Sequence, residues 1–167
     1  MSVLKRAIEQ PAVIVFGANQ GDRAATILAA ARELADADGI ELTAISSLHE
    51  TVAVRLDADG TARPAPDAPG YLNGVALIRT TLTPDALLTV LHELESDHGR
   101  VRTERWGDRT LDLDIVDFAG IRRDRGGLTL PHPRAAERDF VLRPWLEVDP
   151  DAVLVGTGRV ADLVAAL

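Results

Sequence analysis

Residues 105–115 read Arg-Trp-Gly-Asp-Arg-Thr-Leu-Asp-Leu-Asp-Ile, a stretch that decides the fold because a turn runs directly into a strong strand signal. Its second half alternates apolar residues with carboxylates, which is typical of a β-strand with one buried face. Alternate strand residues share a face, so Asp112 and Asp114 point one way while their apolar neighbours point the other way. We predict a strand over about 109–118 that carries the two acids side by side.

The acid pair has two interpretations. As a bare motif it indicates a solvated strand face with two ordinary acids. The upstream residues Arg100, Arg102, Arg105 and Arg109 favour a second interpretation, because guanidinium groups suit phosphate oxygens. Mg²⁺ prefers hard oxygen ligands, few carboxylates and substrate phosphates. The combination therefore predicts a magnesium site beside a site for nucleotide phosphates.

The segment 99–109 has a glycine near each end, which predicts a loop that moves and wraps a triphosphate. Trp106 within it is suited to cover a base or exclude water. The alternative is a basic surface loop anchored to the core by the tryptophan. Glu95 lies one helical turn before this segment and needs a partner, for which Arg100 or Arg102 is within reach. A structural ion pair and support of the site are both open for Glu95.

Periodicity on either side of this stretch predicts the other elements. A helix start is indicated at Asp22 and at Thr83-Pro84-Asp85. The predicted elements are a strand at 12–16, a helix at 23–37, a strand at 40–50, a long loop at 53–70, a strand at 71–80, a helix from 84 to Gly99, a strand at 128–130, and helical pieces near 134–147 and 159–167. The first six regular elements, up to the 109–118 strand, match a ferredoxin-like βαββαβ core of class α+β. We expect both core helices on one face of an antiparallel sheet, with the other face open for loops and ligand.

Length and composition limit the class of protein. The chain has 167 residues, 46% of them hydrophobic, which suits a single domain; we assign it to residues 12–167, after a tail at 1–11. With no cysteine, the chain has no disulfide and no thiolate metal site. No apolar run approaches the roughly 20 residues of a membrane span, and no signal peptide is visible, so we expect a cytoplasmic location without membrane attachment.

The net charge of −8 argues against nucleic acid as a partner. The charge is unevenly distributed, because residues 100–143 carry ten arginines and eight acids while the remainder carries eight basic and 18 acidic residues. A local positive region on an acidic protein favours a compact anionic ligand over a long polyanion.

Three further positions are candidates for ligand contact. Tyr71 and Asn73 share a strand face, so they suit a flat heterocycle, although a cross-strand packing pair is the more common explanation. His132 stands between two prolines and is either a rigid donor to a phosphate oxygen or a structural residue. Phe140 either packs in the core or faces the ligand. The other histidines show no metal-ligand spacing, and we assign them to the surface: His49, His92 and His98.

These residues occur within motifs that resemble one family over about residues 12–150. The motifs are FGANQGD, PGYLNGVAL, ELESDHGRVR, RWGDRTLDLDI, LPHPR and RDFVLRPWLE, of which the fourth is highly specific. The chain resembles the 6-hydroxymethyl-7,8-dihydropterin pyrophosphokinases. The resemblance implies a kinase that transfers diphosphate from ATP to the pterin hydroxymethyl group, releases AMP and serves folate biosynthesis. We expect it to act as a monomer on ATP and the pterin.

The resemblance also implies roles for individual residues. Two Mg²⁺ ions on ATP would be held by Asp112 and Asp114. The nucleotide contacts implied are Arg100 and Arg109, which hold the phosphates during transfer, Arg102, Arg105 and Trp106 in a mobile loop, and His132 and Arg138 as further contacts. The pterin contacts implied are Tyr71 and Phe140 as an aromatic sandwich, Asn73 at the pterin edge, and Thr51 and Val54 near the pterin-binding loop.

Two other functions compete with this one. A palm-type nucleotidyltransferase also has paired aspartates on a similar sheet, but it needs a larger basic track for nucleic acid than a chain of charge −8 offers. A non-catalytic nucleotide-sensing module of ferredoxin-like fold would bind ligand without needing a metal pair. Formation of AMP in the presence of the reduced pterin separates these cases.

The chain departs from the family where Trp-Gly-Pro-Arg becomes Trp-Gly-Asp-Arg at residues 106–109, and its 53–70 loop is longer than usual. Asp108 places a negative charge in the phosphate loop and removes the turn restriction of proline. We predict that Asp108→Pro tightens ATP binding, measured as Kd by calorimetry. Unchanged affinity in that variant would show that the departure has no effect on the nucleotide site.

Overall fold

The computed structural model describes residues 7–99 and 110–167. In chain order the elements are β1 (Gln10–Ala18), α1 (Arg23–Asp36), β2 (Ile40–Ile45), β3 (His49–Thr51), β4 (Val54–Leu56), β5 (Ala62–Pro64), β6 (Tyr71–Thr80), α2 (Pro84–Asp97), β7 (Asp112–Phe118), β8 (Arg123–Arg125), β9 (Leu128–Leu130), a 3-10 turn (Ala135–Glu137), α3 (Asp139–Val148), β10 (Val153–Leu154), β11 (Gly158–Arg159) and α4 (Val160–Ala165). No helix within these described ranges is long and apolar enough to cross a membrane.

One antiparallel sheet organises the molecule. Its strands lie in the order β2-β6-β1-β7, and β3 continues the β2 edge by pairing with β6. Central strand β1 is buried from Ala12 to Ala18, as its apolar sequence predicts, and it begins two residues earlier than expected, at Gln10. The prediction of a mixed structure of helices and an antiparallel sheet is confirmed.

Helices α1 and α2 pack on one face of this sheet. Ile27 and Leu34 of α1 and Leu87 and Leu91 of α2 are fully buried there, against β1 residues such as Phe16. The predicted helix starts are confirmed by capping bonds: the Ala25 N–H donates to Asp22 Oδ1 over 3.1 Å, and the Ala86 N–H donates to Thr83 Oγ1 over 3.2 Å.

The opposite face of the sheet is largely covered, so the expectation that it is open for loops and ligand was wrong. Leu142 and Trp145 of α3 and Val160 of α4 are buried against β-strand residues that include Val15 and Val75. The C-terminal pieces carry an apolar stripe, and a stripe of this kind is stable only when it is covered. The sheet therefore lies between two helical layers.

The strand predicted over 40–50 is interrupted at residues 46–48. The Ser46 N–H donates to the Val75 carbonyl over 2.9 Å, and Ser46 Oγ accepts from the Val75 N–H, also over 2.9 Å. A serine hydroxyl that takes a backbone donor competes with the regular ladder. Leu48 packs so closely over Gly74 that a Cβ on that glycine would lie 2.8 Å from Leu48 Cδ2. The interruption separates β2 from β3.

The segment predicted as a long loop over 53–70 contains a hairpin, β4 and β5. Its polar and glycine residues form the turn: the Gly60 N–H donates to the Asp57 carbonyl over 3.0 Å, and the Asp57 carboxylate accepts from the Thr61 N–H and pairs with Arg63. Turn-forming residues between short apolar runs also signal a hairpin, and the loop prediction missed this signal.

A bulge in β7 changes the pattern past the acid pair. Ile115 pairs with Ile14 but Asp117 pairs with Val13, so Val116 is an extra residue on this strand. Asp117 is half-buried, its Oδ2 accepts from the Gly120 N–H over 3.1 Å, and its buried Oδ1 has no hydrogen-bond partner among the described residues. Simple alternation from Asp114 would place Asp117 on the opposite face, but the extra residue brings it onto the face of Val13 and Asp114.

We predict that Asp117→Asn stabilises the fold near neutral pH. Burial raises the pKa of the Asp117 carboxyl above its ordinary 3.8, against the opposing Gly120 hydrogen bond. The ionised form is therefore disfavoured in the folded state. The stability that it removes returns as the pH falls through the raised pKa and is fully restored below 3.8. Urea unfolding should show the advantage at neutral pH and its disappearance in acid, whereas exposed Asp151→Asn should show neither. A variant less stable than wild type at neutral pH would contradict the assignment.

Candidate active site

The register of the sheet places the predicted ligand residues in adjacent rows. Gly17 of β1 pairs with Asn73 of β6 on one side and with Asp112 of β7 on the other. In the next row, Val15 pairs with Val75 and with Asp114. Residues directly opposite each other in antiparallel strands share a face. The amide and the acid pair therefore lie on the α3 face of the sheet, with one strand between them.

The acid pair has the orientation predicted from alternation. Asp112 and Asp114 are half-buried, while Leu111, Leu113 and Ile115 are buried on the other face. Their register partners show that both carboxylates belong to the α3 face. Because the side chain of Asp114 keeps 37% of its exposure, its oxygens remain accessible to a ligand.

Glu95 is buried (2% exposed), and its Oε1 accepts from the Leu113 N–H over 2.8 Å. Leu113 stands between the two acids on an edge strand, so Glu95 satisfies a backbone donor that the sheet leaves unpaired. This contact supports the acid pair directly. The arginine partners expected for Glu95 lie outside the described residues.

His132 is held beside β7, the strand of the acid pair, by a backbone hydrogen bond. Its N–H donates to the Val116 carbonyl over 2.8 Å. Its Nε2 lies 3.9 Å from Asp114 Oδ2. Burial, reinforced by the charges of Arg138 and Arg134, lowers the pKa of His132 to about 4, against the opposing effect of Asp112. The contact with Asp114 is therefore that of a neutral imidazole and not an ion pair near neutral pH.

The tautomer of His132 follows from its second nitrogen. Nδ1 accepts from the Arg134 N–H over 3.2 Å, so in the neutral ring the proton resides on Nε2. His132 therefore presents an N–H donor toward the acid pair, which is the role expected of a contact to a phosphate oxygen.

Arg138 links the acid pair to the aromatic candidate Phe140. Its guanidinium lies 5.4 Å from the centre of the Phe140 ring. Burial lowers the pKa of Arg138, while the neighbouring charges of Asp114 and Asp112 raise it. A half-buried cation between two carboxylates and an aromatic ring is positioned to meet an anionic ligand that approaches the acids.

On the other side of the row, Asn73 is buried and its Nδ2 donates to Thr51 Oγ1 over 3.0 Å. Thr51 pairs with Tyr71, which is half-buried on the same face. Gly17 leaves the space beside this amide open, because a Cβ there would lie 3.1 Å from Asn73 Oδ1. The strand predicted at 12–16 ended before Gly17, whereas β1 continues to Ala18.

Val54 stands apart from this group, exposed on β4, which pairs with β5 and not with the main sheet. A separate cavity of about 500 Å³ lies between the β1–α1 turn and the residues that precede β6. The described residues that line it are 19–21, Arg23, Glu50 and 69–70. Arg23 Nη1 donates to Glu50 Oε1 and to the Gly70 carbonyl across its wall. The acid pair is not part of that lining.

The residues predicted to hold the phosphates and the base cannot be compared with these positions. Arg100, Arg102, Arg105, Trp106 and Arg109 all lie outside the described residues, as does Asp108, and their roles stay predictions. Sequence reasoning missed Arg134, whose backbone orients His132, and Glu147, which binds the β2–β3 segment. Arg134 ends the LPHPR motif, which was a usable signal; a single glutamate at a helix end was not.

We predict that His132 in the metal-free protein is an Nε2–H tautomer that stays neutral well below pH 6.5, because its pKa lies near 4. Long-range ¹⁵N–¹H NMR spectra distinguish the two ring nitrogens, and His132→Gln identifies the signal. A ring that is protonated near pH 6, or that carries its proton on Nδ1, would contradict the geometry.

Comparison with known proteins identifies the group to which this chain belongs. The model of the family described as 7,8-dihydro-6-hydroxymethylpterin-pyrophosphokinase matches residues 13–150. A 2-amino-4-hydroxy-6-hydroxymethyldihydropteridine pyrophosphokinase from Synechocystis is 36% identical over 148 residues, covering 89% of this chain and 71% of that protein. The enzyme of the same name from Haemophilus influenzae is 40% identical over 125 residues, covering 74% and 78%.

A solved structure of HPPK-DHPS from Plasmodium falciparum with pteroate shares the fold, with a TM-score of 0.72 and 15% identity. It covers 95% of this chain, which in turn spans 42% of that longer chain. At such identity the likeness shows the fold alone, whereas the family match and the relatives identify the group. The chain belongs to the 7,8-dihydro-6-hydroxymethylpterin-pyrophosphokinase family.

Proposed function

We propose that this chain transfers diphosphate from ATP to the hydroxymethyl group of 6-hydroxymethyl-7,8-dihydropterin, releasing AMP, in folate biosynthesis. The family and the names of the relatives support this activity. The structural observation that carries it is the register row in which Gly17 alone separates Asn73 from Asp112. Two strand spacings, roughly 10 Å, separate Asn73 from Asp112, a distance that the pterin hydroxymethyl group and a polyphosphate chain can span.

Different residues of the candidate site bind the two substrates in this proposal. Asn73, held by Thr51, presents its amide to the edge of the pterin, while Tyr71 and Phe140 offer aromatic faces for the ring. Arg138 and the Nε2–H of His132 face the polyphosphate from the acid side. Each substrate is thereby held by groups that suit its chemistry, and proximity supplies a large part of the rate.

In the proposed reaction the pterin hydroxyl oxygen bonds to the β-phosphorus, the bridging bond to the α-phosphate breaks, and AMP leaves. The hydroxyl proton goes to solvent, because His132 already carries a proton on Nε2 and its Nδ1 accepts the hydrogen bond from the Arg134 N–H. His132 is therefore a donor to phosphate oxygens and not the general base. Negative charge on the transferred group is met by Arg138 together with the predicted arginines.

The donor set fits magnesium. Two half-exposed carboxylates, Asp112 and Asp114, share one face, and no cluster of three or more metal-ligating side chains occurs in the described part of the chain. Such a pair leaves coordination positions for water and phosphate oxygens, as Mg²⁺ requires. Two Mg²⁺ ions bound by these residues would neutralise the phosphates and polarise the reacting oxygens.

Several finer features belong to the same proposal. The strand order β2-β6-β1-β7, with α1 and α2 on one face, supports a ferredoxin-like βαββαβ core. We further propose that the protein works in the cytoplasm as a monomer that binds ATP, with no nucleic-acid partner, as its charge distribution suggests.

Asp114→Asn should preserve the fold and pterin binding but reduce turnover by roughly 100-fold or more, since it removes one charged metal ligand. The assay measures AMP and pterin diphosphate formed from ATP and the reduced pterin, with and without Mg²⁺. Asp117→Asn is the matched control, because it makes the same change on the same strand outside the acid pair.

Near-normal rates for Asp114→Asn would exclude the metal role of this residue. A wild-type protein that forms neither AMP nor pterin diphosphate in the presence of Mg²⁺ would overturn the proposed function.

A further inference from the structure

The last turn of α3 is bound to the interruption between β2 and β3 by one carboxylate. Glu147 Oε1 accepts from the Ser47 N–H over 2.7 Å, and Glu147 Oε2 accepts from Ser47 Oγ over 2.8 Å. His49 Nε2 lies 3.0 Å from the same Oε2 and 3.3 Å from Ser47 Oγ. We call these three residues the Glu147 clamp. His49 thus has a defined partner, contrary to its assignment as a plain surface residue.

The position of Glu147 at the C-terminal end of α3 is electrostatically unfavourable for a negative charge. A negative side chain in the last turn of a helix is unfavourable, because the exposed carbonyl groups there carry partial negative charge. Glu147 nevertheless stays ionised, since the Ser47 N–H, His49 and the Ser47 hydroxyl lower its pKa to about 2. The break at residues 46–48 turns the Ser47 N–H toward α3, where Glu147 accepts it.

The clamp joins α3 to β3, and each of these elements carries proposed pterin contacts: Phe140 on α3 and Thr51 on β3. His49 pairs directly with Asn73, and two residues further on Thr51 accepts the Asn73 amide hydrogen bond. Phe140 stands in the first turn of α3, about 10 Å along the helix from Glu147 at 1.5 Å per residue. Pro144 removes one helix hydrogen bond between them, but Leu142 and Trp145 are buried on this segment, so a displacement at Glu147 is passed to Phe140 through packed residues of α3.

We propose that Glu147 is a positioning residue for the pterin, which sets the spacing between the aromatic wall on α3 and the Thr51–Asn73 wall on β3 and β6. This role rests on the proposed function. Glu147 touches neither substrate in it and acts through Ser47 and His49. Its loss therefore affects the pterin site most, because both walls of that site depend on the clamp. Of the proposed nucleotide contacts only Arg138 begins α3, whereas Asp112 and Asp114 are held by β7 and His132 by the Val116 carbonyl.

Glu147→Ala should raise the Kd and KM for the reduced pterin about tenfold, because a binding site whose walls are no longer held in place must be ordered on binding. The kcat at saturating pterin and the Kd of a non-hydrolysable ATP analogue should stay within about twofold of wild type. Glu147→Gln should restore part of the pterin affinity, because its amide oxygen still accepts from the Ser47 N–H. A purely stabilising role would lower the unfolding temperature without this split between the substrates.

The matched control is Arg143→Gln on the same helix. It removes the charge of an exposed ion pair in which Arg143 Nε lies 3.4 Å from Asp139 Oδ2. It should leave pterin and nucleotide affinity unchanged. Ser47→Ala removes only the hydroxyl contact and gives a second, milder variant should Glu147→Ala fold poorly. In a double-mutant cycle its effect on pterin Kd should be non-additive with that of Glu147→Gln.

Hydrogen exchange supplies a readout that needs no substrate: the amides of residues 49–51 should exchange faster in Glu147→Ala than in Arg143→Gln. Folded clamp variants with wild-type pterin Kd and wild-type exchange would overturn the positioning role. A wild-type protein that forms no AMP overturns the proposed function instead, and in that case the exchange experiment still decides whether Glu147 fixes β3.

Discussion

The pairing of Gly17 with Asn73 on one side and Asp112 on the other is the constraint on which the site depends. A one-residue shift in either ladder would turn the amide or the acid to the opposite face, where α1 and α2 are packed. The register is specified strongly because β1 is buried on both faces and the start of β7 alternates acids with buried apolar residues. Core packing and site geometry therefore have the same cause.

The electrostatics of the site follow from partial burial. Asp112 and Asp114 are exposed enough to meet a ligand, yet close enough to Arg138 to influence its pKa. His132 is buried far enough to be neutral near physiological pH, so it supplies an N–H donor and not a second cation beside Arg138. A small set of groups thus offers anionic, cationic and neutral donors within one short segment of sheet.

Local patterns were sufficient where the local sequence is the cause. The alternation around Leu113 correctly predicted which face carries the acids, and the caps at Asp22 and Thr83 correctly predicted where two helices begin. Patterns failed where a distant partner decides. The break at Ser46 depends on Val75, and the bulge in β7 that carries Asp117 depends on its pairing with β1. Neither partner can be read from the residues next to the irregularity.

The sequence by itself determined the class of fold, the shared face of the acid pair and the candidate contacts for both substrates, because residue periodicity and side-chain chemistry are local properties. Only the tertiary structure decided that α3 covers the second face, that Glu95 reaches the backbone between the acids, and that Glu147 ties α3 to β3. These contacts join residues far apart in the chain, and their existence depends on how whole elements pack. A lone glutamate has the same local signature whether it ends in water or in such a contact.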